Sequence, residues 1–167
     1  TMPFVQTNGL NFYYEERGSS SAEPLLLIMG ITASGSVWEP HASYWQHDFR
    51  CIIGDNRGVG LSDKPSGPYS TAQMADDYAG LLDTLQIEKV SVVGCSMGST
   101  IAQQLAIRHP EKVKSLVLMC PWARCDNAAI RACGVSGNKL LALRDLAARE
   151  GRGEIPALRQ MSTMDND

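Results

Sequence analysis

The sequence predicts an α/β fold: a mostly parallel sheet with helices on both faces. Two observations carry that expectation. Short continuous apolar runs recur at Leu25 to Met29, Cys51 to Ile53, Val90 to Val93 and Leu116 to Met119. Runs of this kind read as strands buried on both faces, the habit of parallel sheets. Between them lie segments of helical period, and alternating strands and helices imply right-handed crossovers over a covered sheet.

The elements follow in order. Pro3 to Thr7 and Leu10 to Glu16 flank Asn8-Gly9, a pair that supplies the positive φ angles of a tight hairpin turn. Gly18 to Ser21 is a polar linker into the first apolar run. Thr71 to Ile87 is the clearest helix, with Met74, Tyr78, Leu81, Leu82 and Leu85 on one face. Ser70 followed by Gln73 fits a capping box at its start. A second helix runs from Met97 to about Arg108, with Ile101, Ala102, Leu105 and Ala106 inward, and Pro110 blocks its continuation. After Pro121 the strands stop. Two helical stretches follow, around Leu140 to Ala147 and Ile155 to Met161, punctuated by Gly134, Gly137, Gly151 and Gly153.

A chain of 167 residues fits one domain with a real core. Its scattered Lys and Arg and net charge of -3 give no reason to expect nucleic acid or an anionic membrane as partner. Thr1 to Tyr14 lacks the basic start and apolar block of a secretory leader. The run Leu25 to Met29 is too short to span a bilayer. Cys51, Cys95, Cys120, Cys125 and Cys133 form an odd set without paired metal spacing. They read as free thiols in a reducing cytoplasm, and the sequence predicts no metal and no cofactor.

One short motif carries chemistry. Gly94-Cys95-Ser96-Met97-Gly98 matches G-x-S-x-G, follows the strand Val90 to Val93 and opens the helix at Met97. So sharp a turn from strand into helix forces the serine into a strained backbone conformation and holds its hydroxyl out above the sheet. Gly94 and Gly98 remove the Cβ atoms that would otherwise collide. An ordinary strand–helix turn is the bland alternative.

With this motif the chain resembles the α/β-hydrolase superfamily, in its serine-nucleophile esterase, lactonase and haloperoxidase-like branch, from Pro3 to about Pro121. Three further blocks carry the resemblance. Leu27 to Ser36 looks like the loop after the third strand that supplies half of an oxyanion hole. Asp55-Asn56-Arg57-Gly58-Val59-Gly60-Leu61-Ser62 is similar to D-x-R-G-x-G-x-S. Arg108 to Val113 resembles the exit from the nucleophile helix. The resemblance implies Ser96 as nucleophile and the backbone N–H groups of Ile31 and Met97 as the oxyanion hole. Many relatives carry His before the glycine where this chain has Met29. Asp55 and Arg57 read better as braces of their loop than as catalytic groups. Trp38, Trp45 and Trp122 either border a pocket or pack in the core.

The rest of a triad is missing. In this family the order is Ser, then Asp or Glu, then His. His41 and His47 precede Ser96, in what reads as the helix after the oxyanion loop. His109 ends the nucleophile helix, about 20 Å from its start. Met119-Cys120-Pro121-Trp122 offers no carboxylate at the strand end some relatives use, and Asp126 lies too far along. The expected organisation is therefore residues 1–121 as the N-terminal part of the core and 122–167 as the start of a helical cap. The chain reads as a fragment, inactive alone and needing a C-terminal segment of the same hydrolase, with Leu116 to Met119 left as an exposed sheet edge.

The function expected is hydrolysis of a small-molecule carboxylic ester or related acyl substrate through an acyl-Ser96 intermediate. Lactonase, C–C hydrolase and perhydrolase variants share these residues. Haloalkane dehalogenases and epoxide hydrolases would need Asp at position 96. The alternative from another class is a small-molecule binding or receptor protein on the same scaffold.

Overall fold

The computed structural model describes residues 3–121. The predicted hairpin forms from β1 (Phe4–Thr7) and β2 (Leu10–Arg17), with Thr7 paired to Leu10. Asn8 and Gly9 take φ of 48° and 74°, the positive pair that a two-residue hairpin demands. The apolar runs become β3 (Glu23–Ile28), β4 (Phe49–Gly54), β5 (Val90–Cys95) and β6 (Val113–Met119). Between them lie α1 (Glu39–Trp45), α2 (Thr71–Thr84) and α3 (Met97–Arg108). The sheet order is β1-β2-β4-β3-β5-β6. β2 pairs antiparallel with β4, while β4, β3, β5 and β6 run parallel. The expected α/β class holds, with the hairpin as the antiparallel part.

Alternate residues of the central strands feed two cores, as a two-sided strand requires. Leu26, Ile28, Ile52, Val90 and Val92 join Tyr78, Leu81, Leu82, Ile101 and Leu105 of α2 and α3. Leu25, Leu27, Cys51, Ile53 and Val93 join Trp38 and Ala42 on the opposite face. Trp38 is therefore a core residue, and Trp45, half-buried, packs against that second cluster. Trp122 lies outside the described residues, as do Asp126 and the helices expected after Pro121.

Three expectations are corrected in detail. The helix predicted to Ile87 stops at Thr84, because Gln86 takes φ of 56°. The N–H of Ile87 then donates to Leu82 O and that of Gln86 to Asp83 O, the bond pair of a Schellman ending. His47 falls in the turn after α1 rather than within it. Finally, β6 is the last strand in the described sheet, the edge position expected of it, but it is covered on one face rather than two. Leu116 and Leu118 pack on the first core, while Val117 and Met119 are exposed.

Candidate active site

Because β3, β4, β5 and β6 are parallel, their carboxyl ends share one edge of the sheet, where α/β proteins bind ligands. Ile28 is paired with Gly94 and Cys95 with Met119. The exits of β3, β5 and β6 therefore meet around Ser96.

Ser96 is half-buried, with φ 56° and ψ -124°. A non-glycine residue held there costs about 1–3 kcal/mol and persists only where its surroundings over-determine it. Here they do. The Ser96 N–H donates to Met119 O at 2.9 Å. The Ser99 hydroxyl lies 2.7 Å from the same carbonyl and 2.8 Å from Gly94 O, its single proton shared between them. The two glycines meet a close-packing demand rather than a torsional one. A Cβ on Gly94 would lie 2.7 Å from the carbonyl carbon of Gly98, and one on Gly98 would lie 2.8 Å from that of Ile28. The elbow is thus wedged against the ends of β3 and β6.

The loop after β3 comes directly against Ser96. A Cβ on Gly30 would stand 3.0 Å from Ser96 Cβ and 3.3 Å from its Oγ. Ile31 follows, its side chain 62% exposed, and Thr32 takes φ of 58°. Exposure sets the Ile31 side chain apart from the described core. Met97 begins α3, and its side chain packs against the first core. As the first helical residue it has an N–H with no intrahelical acceptor, at the positive end of the helix dipole.

Burial raises the pKa of the neighbouring Cys95 thiol, and a charge on Cys120 would raise it further. Cys95 therefore stays protonated near neutral pH. Cys51, Cys95 and Cys120 are all free thiols. Among the described residues no cluster of His, Cys, Asp and Glu has the make-up of a metal site. No helix there is long and apolar enough to cross a membrane.

The loop after β4 is a brace. Asp55 accepts from Ser34 Oγ at 2.9 Å and the Gly35 N–H at 2.7 Å with one oxygen, and from the Leu61 N–H at 2.8 Å with the other. Arg57 makes two hydrogen bonds of 2.6 Å to Asp77, and both side chains are buried. Asp77 also accepts from Asn8, tying the hairpin turn to α2. Removing one partner of such a pair leaves an uncompensated buried charge. Asp77→Ala is expected to cost about 3–5 kcal/mol of stability, read as a lower midpoint in urea unfolding. A midpoint unchanged from wild type would show that this pair does not hold the loop.

The histidines do not converge on Ser96. His41 lies 5.5 Å, ring to ring, from Trp38 and 5.4 Å from Trp45. His109 caps the far end of α3 and bonds Asp76 at 2.8 Å. The hydrogen bonds from Arg108, then His109, hold the Asp76 carboxyl below its ordinary range. At the end of β6 stands Cys120, exposed, with φ of 53°. The sequence reading missed Asn56, Tyr78 and Ser99. The Asn56 amide donates to Met29 O at 2.9 Å and accepts from Tyr78 OH at 3.0 Å. Burial pushes the Tyr78 hydroxyl far above its ordinary pKa, so it remains a donor. Ser99 left a sequence signal as a small hydroxyl residue one position past the motif, whereas Asn56 stood at a variable position of its block and Tyr78 on an apolar helix face, neither marking their bond.

A strained serine on a strand-to-helix elbow of a mostly parallel sheet defines a class, and the chain belongs to it. Residues 23–132 match the family model for the alpha/beta hydrolase fold. Among relatives, a Mycobacterium tuberculosis protein provisionally named non-heme bromoperoxidase BpoC is 39% identical over 121 residues, covering 71% of this chain and 45% of its own length. A protein of Azorhizobium caulinodans provisionally named carbamate hydrolase RutD is 33% identical over 141 residues, covering 84% and 52% respectively. The crystal structure of the enol-lactonase from Burkholderia xenovorans LB400 superposes with a TM-score of 0.66 at 32% identity, over 68% of this chain and 45% of that one. The chain thus spans about half the length of the curated relatives it matches.

Proposed function

We propose that this chain carries the nucleophile half of a serine hydrolase acting on a small-molecule carboxylic ester or related acyl substrate. The observation that carries the reading is the Ser96 backbone, held at positive φ by Met119 O with Gly30 packed against its side chain. Strain of this kind persists where the fold enforces it, and here it presents a hydroxyl at the ligand-binding edge of the sheet. The names borne by the relatives, a lactonase and a carbamate hydrolase among them, fit the same acyl chemistry.

In the proposed reaction Ser96 Oγ attacks the acyl carbon as its proton passes to a general base. The carbonyl oxygen becomes an oxyanion held by the Ile31 and Met97 N–H groups. The alcohol leaves with the proton returned by the base, and water releases the acid from acyl-Ser96 by the same steps. The base is a histidine and its orienting partner an acid, both supplied by a C-terminal segment of the same hydrolase. Residues 1–121 are then the N-terminal part of the core and 122–167 the start of the cap. The setting that suits the free thiols is the cytoplasm.

The test is a crystal structure of the full-length protein after reaction with a fluorophosphonate. Phosphorus bonded to Ser96 Oγ is expected, with the phosphonyl oxygen about 3 Å from both the Ile31 and Met97 nitrogens. An adduct on another residue overturns the nucleophile. An adduct oxygen turned away from both amides overturns the oxyanion hole.

A further inference from the structure

The loop that carries Ile31 is fastened at both ends by two consecutive residues of the β4 exit. Asp55 holds its far end through Ser34 Oγ and the Gly35 N–H. Asn56, 1% exposed, holds its near end through Met29 O. Between the fastenings Thr32 sits at positive φ, a conformation a free loop would relax. The Met29 carbonyl is hemmed in from a second side, since a Cβ on Gly98 would come within 2.9 Å of it. The chain then passes through Gly30, against Ser96, to Ile31.

The chemistry of the Asn56 site admits one orientation. A carbonyl oxygen accepts only, so the NH2 of the amide must face Met29. The amide oxygen then faces Tyr78 OH, whose proton is shared with Gly54 O at 3.2 Å. An aspartate here would keep the Tyr78 partner but turn a negative oxygen toward the Met29 carbonyl.

We propose that Asn56 is a positioning residue, and that its bond to Met29 O, oriented by Tyr78, sets the place of the Ile31 N–H relative to Ser96. The inference rests on the acyl-serine reading. Asn56 touches no substrate; it acts through the loop. The effect is on the transition state, where the oxyanion forms, rather than on substrate binding.

The experiment compares full-length wild type with Asn56→Asp, Tyr78→Phe and Ser96→Ala. Active sites are counted by fluorophosphonate titration. Turnover is followed with p-nitrophenyl acetate, and phenylboronic acid serves as a tetrahedral mimic. Asn56→Asp is expected to lower kcat per titrated site by about 10–100-fold with KM within about threefold of wild type. Boronate affinity falls in parallel with kcat, and Tyr78→Phe moves both in the same direction by less. A structural role alone would reduce the number of titratable sites and leave kcat per site unchanged, which overturns the inference. If Asn56→Asp does not fold, the same split in Tyr78→Phe decides. Ser96→Ala separates the two readings. Wild-type turnover in that variant fells the acyl-serine reading and this one with it. A dead Ser96→Ala beside an unaffected Asn56→Asp fells this one alone.

Discussion

Ser96→Ala in the full-length protein is expected to abolish covalent phosphonylation and to lower ester turnover on the order of 10⁶-fold, leaving only what binding and the oxyanion hole supply. The fold should barely notice. Ser96 precedes α3 at the N-cap position yet makes no side-chain cap bond, so its hydroxyl contributes little to the helix. Alanine bears the same backbone cost at φ 56° as serine does, and the N–H that bonds Met119 O is retained. The stability change should stay within about 1 kcal/mol. Mass mapping of the labelled peptide reads the first effect and urea unfolding the second. Label persisting on the variant at Cys95 or Ser99 would show that the wrong side chain has been assigned. Burial argues against Cys95, whose thiol is held protonated. The Ser99 hydroxyl already bonds Gly94 O and Met119 O. Wild type that binds ligands but takes no label would turn the reading toward a receptor on this scaffold.

What could be read from the sequence was steric and periodic. G-x-S-x-G gave away the elbow because the spacing records collisions. Each glycine sits where a Cβ would overlap the backbone of α3 or β3. Asn8-Gly9 gave away the hairpin because few residues accept the φ values its turn uses. The end of α2 was hidden for the same kind of reason. Gln86, not glycine, takes the left-handed position, and Ile87 is buried, so the apolar period runs on past the last helical residue. Leu116 to Met119 was legible as the edge, but it also looked like a strand covered on both faces, since an apolar run does not say which face a neighbouring element will cover. Asn56 and Tyr78 were silent for a different reason. Their bond joins positions 22 apart, and it exists only because α2 lies across the exit of β4. Buried hydrogen bonds of that kind depend on the assembled sheet, not on any local pattern.

Residues 1–167 by themselves are expected to hydrolyse p-nitrophenyl acetate no faster than the buffer does, and to gain turnover when a downstream segment bearing the acid and histidine is added. Geometry gives the reason. Ser96 stands at the carboxyl ends of the parallel strands, and a serine hydroxyl without a base within hydrogen-bonding reach is a weak nucleophile. His47 lies just before Phe49, where β4 begins. It is thus at the opposite end of the sheet, about 20 Å away for a strand of this length. His109 closes the 12-residue helix that Met97 opens, about 18 Å from its start, and is engaged by Asp76. The His41 ring lies against Trp38 and Trp45, so turning it toward Ser96 would forfeit that packing. Among the described residues no histidine hydrogen-bonds Ser96, each being engaged or placed elsewhere. β6 adds an independent argument, because its last residues present Val117 and Met119 unburied beside the elbow. A strand edge with exposed apolar groups is a template for pairing. A segment that docks there would arrive next to Ser96, where a strand-end acid and a loop histidine are needed. The measurement is turnover by purified 1–167, then by the same chain with the segment supplied in trans. Enzyme-level turnover by 1–167 alone would mean that a base for Ser96 already lies within this chain.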